Sequence, residues 1–320
     1  MDQDVESVLS LSHSHTPFHL SFPSPLSIES SSLDAVSSIT LDVETDNLVA
    51  GFSNGTIAIS SLSFPHSAPD TLLPLSSSHT SPILWSSFLD SYMFLASTSS
   101  SLSLYSVEEL SPISNITFPF PSTNCCLHPS SPSVLSIGTS SNICTIDLRT
   151  GVPSSFTNLT DPRRSSLQVY PYSACFLDDS YVLVGDSLNR VVFIDTRFSR
   201  ISGRLNFKNF NLSAPVTSLL ACQEIYCLDS NGVLSIFNSG NFSLISQDAF
   251  DCSLLTSVTL DSNNILVSKS GANLVTIERG NLGSILTGHI DDVTCLAGGD
   301  GIIVSGDKGG FCLVWRIGYC

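Results

Sequence analysis

A short hairpin of two alternating apolar strands recurs about every 42 residues along this chain, and nothing else in the sequence constrains the fold as strongly. The clearest copy is the last. Ile302-Ile303-Val304-Ser305-Gly306 is joined through Gly309-Gly310 to Leu313-Val314-Trp315, with Gly288-His289 ahead of it. Weaker copies end their second strand on Ser60, Tyr105, Ile146, Ile194, Phe237 and Ile277, in the slot that Trp315 fills. Asn54-Gly55 and Asn231-Gly232 supply the residues that tolerate positive φ, which tight two-residue turns demand.

A shorter apolar run precedes most of the hairpins: Val36 to Leu41, Ile83 to Phe88, Val216 to Leu220, Leu255 to Leu260 and Val293 to Leu296. With an outer strand after each hairpin, such as Phe242-Ser243-Leu244-Ile245, the repeat becomes a four-stranded antiparallel sheet. Helical periodicity is absent. Seven such sheets at this period predict an all-β, seven-bladed β-propeller. The chain stops five residues after Trp315, so blade seven lacks a fourth strand of its own. Strand-like sequence at Val5 to Leu11, or at Phe18 to Phe22, is expected to fill that place and close the ring, which removes two exposed sheet edges. The expected division is an N-terminal arm at 1–35 and the propeller at 36–320.

The last blade resembles the WD40-repeat family, and the likeness spans roughly residues 36–317. The resemblance implies a buried His–Ser–Asp–Trp network in which His289, Ser305 and Trp315 match. The family's turn aspartate, four residues after the serine, is Gly309 here, so the network is expected to be incomplete. The other blades are expected to lack the His and the Trp altogether. Ile146-Asp147-Leu148-Arg149 and Ile194-Asp195-Thr196-Arg197 look like the family's Trp-Asp-x-Arg with Ile for Trp. In relatives that dock onto a cullin ubiquitin-ligase adaptor, that motif carries the contact, so Arg149 and Arg197 are candidate partner-binding residues. The resemblance implies a non-catalytic protein–protein interaction scaffold in a multiprotein complex. A ubiquitin-ligase substrate receptor, a ribosome-assembly propeller (from the string Leu255 to Leu260) and a propeller hydrolase are the alternatives.

Composition narrows the partners. The formal charge is −16 with three lysines, Lys208, Lys269 and Lys308, which disfavours direct nucleic-acid binding because phosphate contacts need clustered cations. Acidic residues at Asp42, Glu44, Asp46, Asp178, Asp179, Asp229, Asp261, Asp291 and Asp292 fall in loops at both rims, so protein partners of basic character are expected. Asp291 and Asp292 are the sequence's candidate docking pair. No apolar run approaches the ~20 residues of a membrane helix, so membrane insertion is not expected. The acidic start, Met1-Asp2-Gln3-Asp4, is unlike a secretory signal, which places the chain in the cytosol or nucleus. The ten cysteines are scattered within apolar runs without a Cys-x-x-Cys pair, and they read as reduced, small core residues. Many of the 62 serines alternate with apolar residues and so read as strand positions; Ser24 to Ser32, Ser61 to Ser81 and Ser111 to Ser122 read as loops or arm.

Motifs that carry chemistry elsewhere fail in this context. Gly51-Phe52-Ser53-Asn54-Gly55 spells a nucleophile elbow, but that device needs a strand turning into a helix. Gly306-Asp307-Lys308-Gly309-Gly310 lacks the order of a phosphate loop and the helix that must follow it. His13, His15 and His19 have no carboxylate or thiolate cluster beside them, so no metal site is expected. Five Asn-x-Ser/Thr sequons arise in a serine-rich chain without a leader that would expose them to glycosylation. The expectation is no catalytic residue, no metal and no cofactor.

Overall fold

The computed structural model describes residues 18–20, 34–61, 73–74, 79–131, 133–138, 141–160, 169–197, 200–206, 214–260, 263–278 and 281–316; every regular element among them is a strand. The strands form seven four-stranded antiparallel sheets. Blades one to six are sequential meanders spanning 36–74, 85–117, 122–158, 171–206, 216–249 and 253–287. Blade seven has three strands, Val293–Gly299, Ile302–Asp307 and Cys312–Arg316. Its outer strand is Phe18–Leu20, pairing Phe18 with Val314, His19 with Leu313 and Leu20 with Cys312. The first strands of successive blades adjoin around the ring, and that of blade seven adjoins that of blade one. Of the two closing segments expected from sequence, the second does the pairing; Val5 to Leu11 lies outside the described residues.

The strand register verifies the repeat. In every blade the slot residue pairs with an apolar residue near the start of the preceding strand: Ser60 with Leu48, Tyr105 with Phe94, Ile146 with Val134 and Ile194 with Val182. Phe237 with Ile225, Ile277 with Leu266 and Trp315 with Ile303 complete the set. One slip of register would turn each apolar set to the wrong face, so burial on both faces fixes the pairing.

Seven apolar clusters fill the seven blade–blade junctions. Val36, Leu48 and Phe52 of blade one pack with Val304, Cys312 and Val314 of blade seven, and blades four and five meet through Leu183, Phe193, Val216 and Phe237. Each fully buried Leu, Val or Phe contributes roughly 1.5–3 kcal/mol, and each blade depends on both neighbours for that burial.

Serine and threonine hydroxyls stitch the same junctions near the channel. Ser37 Oγ donates to Ile83 O of the next blade at 2.6 Å, Ser173 Oγ to Val216 O at 3.2 Å, and Thr294 Oγ1 to Val36 O across the ring closure. A buried hydroxyl is tolerable only when so satisfied. Two loop expectations change. Ser111 to Ser122 supplies the outer strand Pro112–Thr117 of blade two. At Asn54-Gly55 only the glycine has positive φ, at 88°, and its N–H closes onto Phe52 O at 3.0 Å; Gly232 (78°) closes onto Asp229 O in the same way. The turn is therefore a longer loop ending on a left-handed glycine. A Cβ on Gly232 would sit 1.9 Å from Phe250 O, so no other residue fits.

Candidate functional site

The densest polar constellation among the described residues lies inside blade seven. His289 Nδ1 is 2.7 Å from Asp307 Oδ2, His289 Nε2 is 2.6 Å from Ser305 Oγ, and Trp315 Nε1 donates to the same Oγ at 3.0 Å. The donor inventory fixes two of these bonds: indole N–H can only donate and a carboxylate only accepts, so Ser305 Oγ accepts from Trp315 and His289 Nδ1–H donates to Asp307 Oδ2, with Nε2 and Ser305 Oγ sharing the remaining proton contact. The side chains of His289 and Asp307 are each 1% exposed, and Ser305 is fully buried.

The carboxylate corrects the sequence reading. The network does not stop at Gly309: Asp307, two residues after Ser305, supplies the acid. Its Oδ1 also accepts from Phe311 N at 2.9 Å, closing the loop between the second and third strands. Asp307 is the last residue of the strand Ile302–Asp307, ahead of the turn, so an offset of four passes over it.

The same register position carries an acid in two further blades. Asp186 Oδ1 accepts from Leu188 N and Arg190 N, while Oδ2 pairs with Arg190 Nη2 at 2.7 Å. Asp229 Oδ1 accepts from Asn231 N and Val233 N. Asp229 is 1% exposed and so does not decorate a rim, contrary to the sequence expectation. Blade two holds a shortened version: His79, from the loop entering that blade, lies 2.7 Å from Tyr105 Oη through Nε2. Sequence reasoning missed His79 because the slot residue is Tyr. The phenol reaches the imidazole directly and needs no bridging serine.

A search of solved structures matches the β-propeller domain of Cps50 (Swd1) from Myceliophteria thermophila, with a TM-score of 0.76 over 89% of this chain and 97% of that one, at 14% identity. No protein-family model matches the sequence, and no curated protein does. The shared fold is a β-propeller, with seven blades in this chain.

Within the propeller, the other sequence candidates fall on two faces. Arg149 and Arg197 lie where the third strand turns to the fourth, each bound to the aspartate two residues before it. Arg149 Nη2 reaches Asp147 Oδ2 at 2.9 Å, and Arg197 Nη2 reaches Asp195 Oδ2 at 2.9 Å. Arg197 also lies 5.6 Å over the Tyr181 ring. The bond from Arg149 holds the Asp147 carboxyl below its usual range. Asp291 and Asp292 lie on the opposite face, in the loop entering blade seven. Asp292 pairs with Lys308 Nζ at 2.6 Å, which lowers its pKa, and Lys269 contributes in the same direction. The structure therefore does not bring Asp291 and Asp292 together with Arg149 and Arg197. It does surround Asp292 with two of the three lysines of the chain.

Ser53 sits in a strand–turn–strand hairpin, its N–H bonded to Ala35 O. His13 and His15 lie outside the described residues. Among the described residues no group of three His, Cys, Asp or Glu could hold a metal, and no helix is long and apolar enough to cross a membrane. The described cysteines are free thiols, and burial raises several, Cys295 and Cys175 to about 12 and Cys144 to about 11. A thiol so raised stays neutral and acts as a small apolar filler.

Proposed function

We propose that this propeller is a non-catalytic scaffold that holds protein partners in a multiprotein complex. One observation carries the reading. The constellation that most resembles catalytic machinery, Ser305–His289–Asp307, has the order of a serine hydrolase triad but is spent inside the core. A nucleophile must meet substrate; Ser305 is fully buried and its oxygen already accepts from Trp315. What faces solvent is a rigid ring of loops with few cations, suited to presenting surfaces. Fold alone does not fix function, so the reading rests on these residues together with the family resemblance.

In this reading residues 36–320 form the platform, residues 1–35 are an arm bearing the closing strand, and the chain works in the cytosol or nucleus. Partners are proteins, basic where they meet the acidic loops. The test is affinity purification of the tagged chain at native expression, followed by cross-linking mass spectrometry. Stable stoichiometric protein partners cross-linked to loop residues are expected. Recovery of the chain alone, or hydrolysis of an ester, phosphate or peptide that is lost in Ser305→Ala or Ser53→Ala, overturns the reading.

A further inference from the structure

A cleft of about 710 Å³ opens between blades three, four and five, on the face carrying the turns between first and second strands. Its origin is visible in the register. Opposite the second-strand residue that pairs with the slot, blades one to four place Leu41, Phe88, Leu127 and Phe176. Blade five places Ala221 there, paired with Ile225. Blades six and seven are small here too, with Ser257 against Leu266 and Gly298 against Ile303, but beside Ala221 the adjoining positions Cys126, Ala174 and Cys175 are also small, so the space stays open. Burial raises the pKa of both Cys126 and Cys175, so this floor is uncharged and apolar.

The rim is acidic and held in place. Asp178 and Asp179 are exposed at its edge. Asp178 Oδ1 accepts from Ser180 N and Tyr181 N, which fixes the turn. His128 packs its ring 4.8 Å from that of Phe176 and bonds through Nε2 to Asp179 O at 3.0 Å, tying the turns of blades three and four together. The same face carries Asp42, Glu44, Asp46, Asp90 and Asp300 in the equivalent turns. On the same face Arg149 and Arg197 are paired with Asp147 and Asp195. The field over the cleft is therefore negative around an apolar floor.

We infer that this cleft is the docking site for a basic, extended segment of a partner protein. One aliphatic side chain of that segment enters against Cys126, Ala174, Cys175 and Ala221, and flanking lysines or arginines face Asp178 and Asp179. An apolar anchor supplies the dwell time and the charges supply encounter rate and selection. The inference rests on the scaffold reading and adds to it the surface and the chemistry of the partner.

The test uses the full chain and an array of nonapeptides with Leu, Ile, Met or Val at the centre and Lys or Arg at four flanking positions. Controls carry Gly at the centre, or Glu at the flanks. The aliphatic basic peptides should bind at least about tenfold tighter than either control, with hydrogen-exchange protection at residues 174–180 and clear weakening as salt rises from low to physiological, where exposed charges are screened beyond ~8 Å. Ala221→Phe installs the side chain that blades two and four carry there, and should weaken binding at least about tenfold with melting temperature unchanged. Asp179→Lys leaves the turn-capping Asp178 in place and should slow association about tenfold. Equal binding of the glycine controls, or binding that neither substitution alters, overturns the cleft. If both variants still recover the wild-type partners, the scaffold reading stands without it; if no peptide binds and no partner is recovered, both fall.

Discussion

Blades seven and two solve the same problem with different parts. Each must anchor the loop that enters it to the slot residue of its third strand. Blade seven uses four side chains, with His289 held between Asp307 and a serine that Trp315 also binds. Blade two uses two, His79 and Tyr105, with the ring of Tyr105 stacked 5.0 Å from that of Phe94. The register position of Ser305 is Ala96 in blade two, and that of Asp307 is Thr98, whose hydroxyl accepts from Ser100 N and Ser101 N to close the turn. The comparison separates two roles. Closing the turn needs any short oxygen side chain, whereas fixing the loop needs an imidazole with a buried partner. Blade seven also draws its outer strand from the other end of the chain, and blade two is built from consecutive sequence.

The largest expected effect tests that last contrast. Deleting residues 1–25 strips Phe18–Leu20 from Cys312–Arg316 and exposes an edge. The truncated chain should aggregate or melt more than 10 °C lower, which for a domain of this size corresponds to about 7 kcal/mol. Hydrogen exchange should accelerate at residues 293–316 well before 85–117. A stable monomer with even protection would show that ring closure does not need the strand.

Next comes His289→Ala, which leaves Asp307 buried without its partner and should cost about 3–5 kcal/mol by denaturant unfolding. Tyr105→Phe in blade two keeps the stacked ring and loses one hydrogen bond, so about 1 kcal/mol is expected. If the two cost the same, the four-residue network adds nothing over the pair.

Acid should sharpen the comparison further. Burial holds His79 below its usual 6.5. The unfolded chain therefore binds the proton first, and the stability from neutral His79 is complete above pH 6.5 and declines as pH falls below it. Between pH 7.5 and 5.5 the wild type should lose more stability than His79→Gln. Equal slopes would mean that His79 is neutral in neither setting or both. The smallest effect belongs to the surface: Arg149→Ala removes an exposed pair and should leave the melting temperature unchanged. A partner lost from affinity purification of that variant would instead support adaptor docking through Arg149.

Much of this architecture was readable from one sequence. The period and the slot residues follow from the alternating apolar runs, because a half-buried strand repeats its apolar residues at every second position. His289, Ser305 and Trp315 were readable since each sits at a fixed step of a strand or turn. Asp307 was not, because it ends the strand two residues after Ser305 and does not lie four residues on, in the turn. His79 was hidden for a related reason: its partner's identity as Tyr matters only once the phenol is seen to span the distance that serine bridges in blade seven. The pairing of Asp292 with Lys308, and the cleft left by Ala221, arise between residues of different strands and different blades. Local sequence encodes which strand forms and which face it buries. Which charges meet, and where a side chain falls short of filling its junction, depends on the angle at which one blade packs on the next, and only the closed ring sets that.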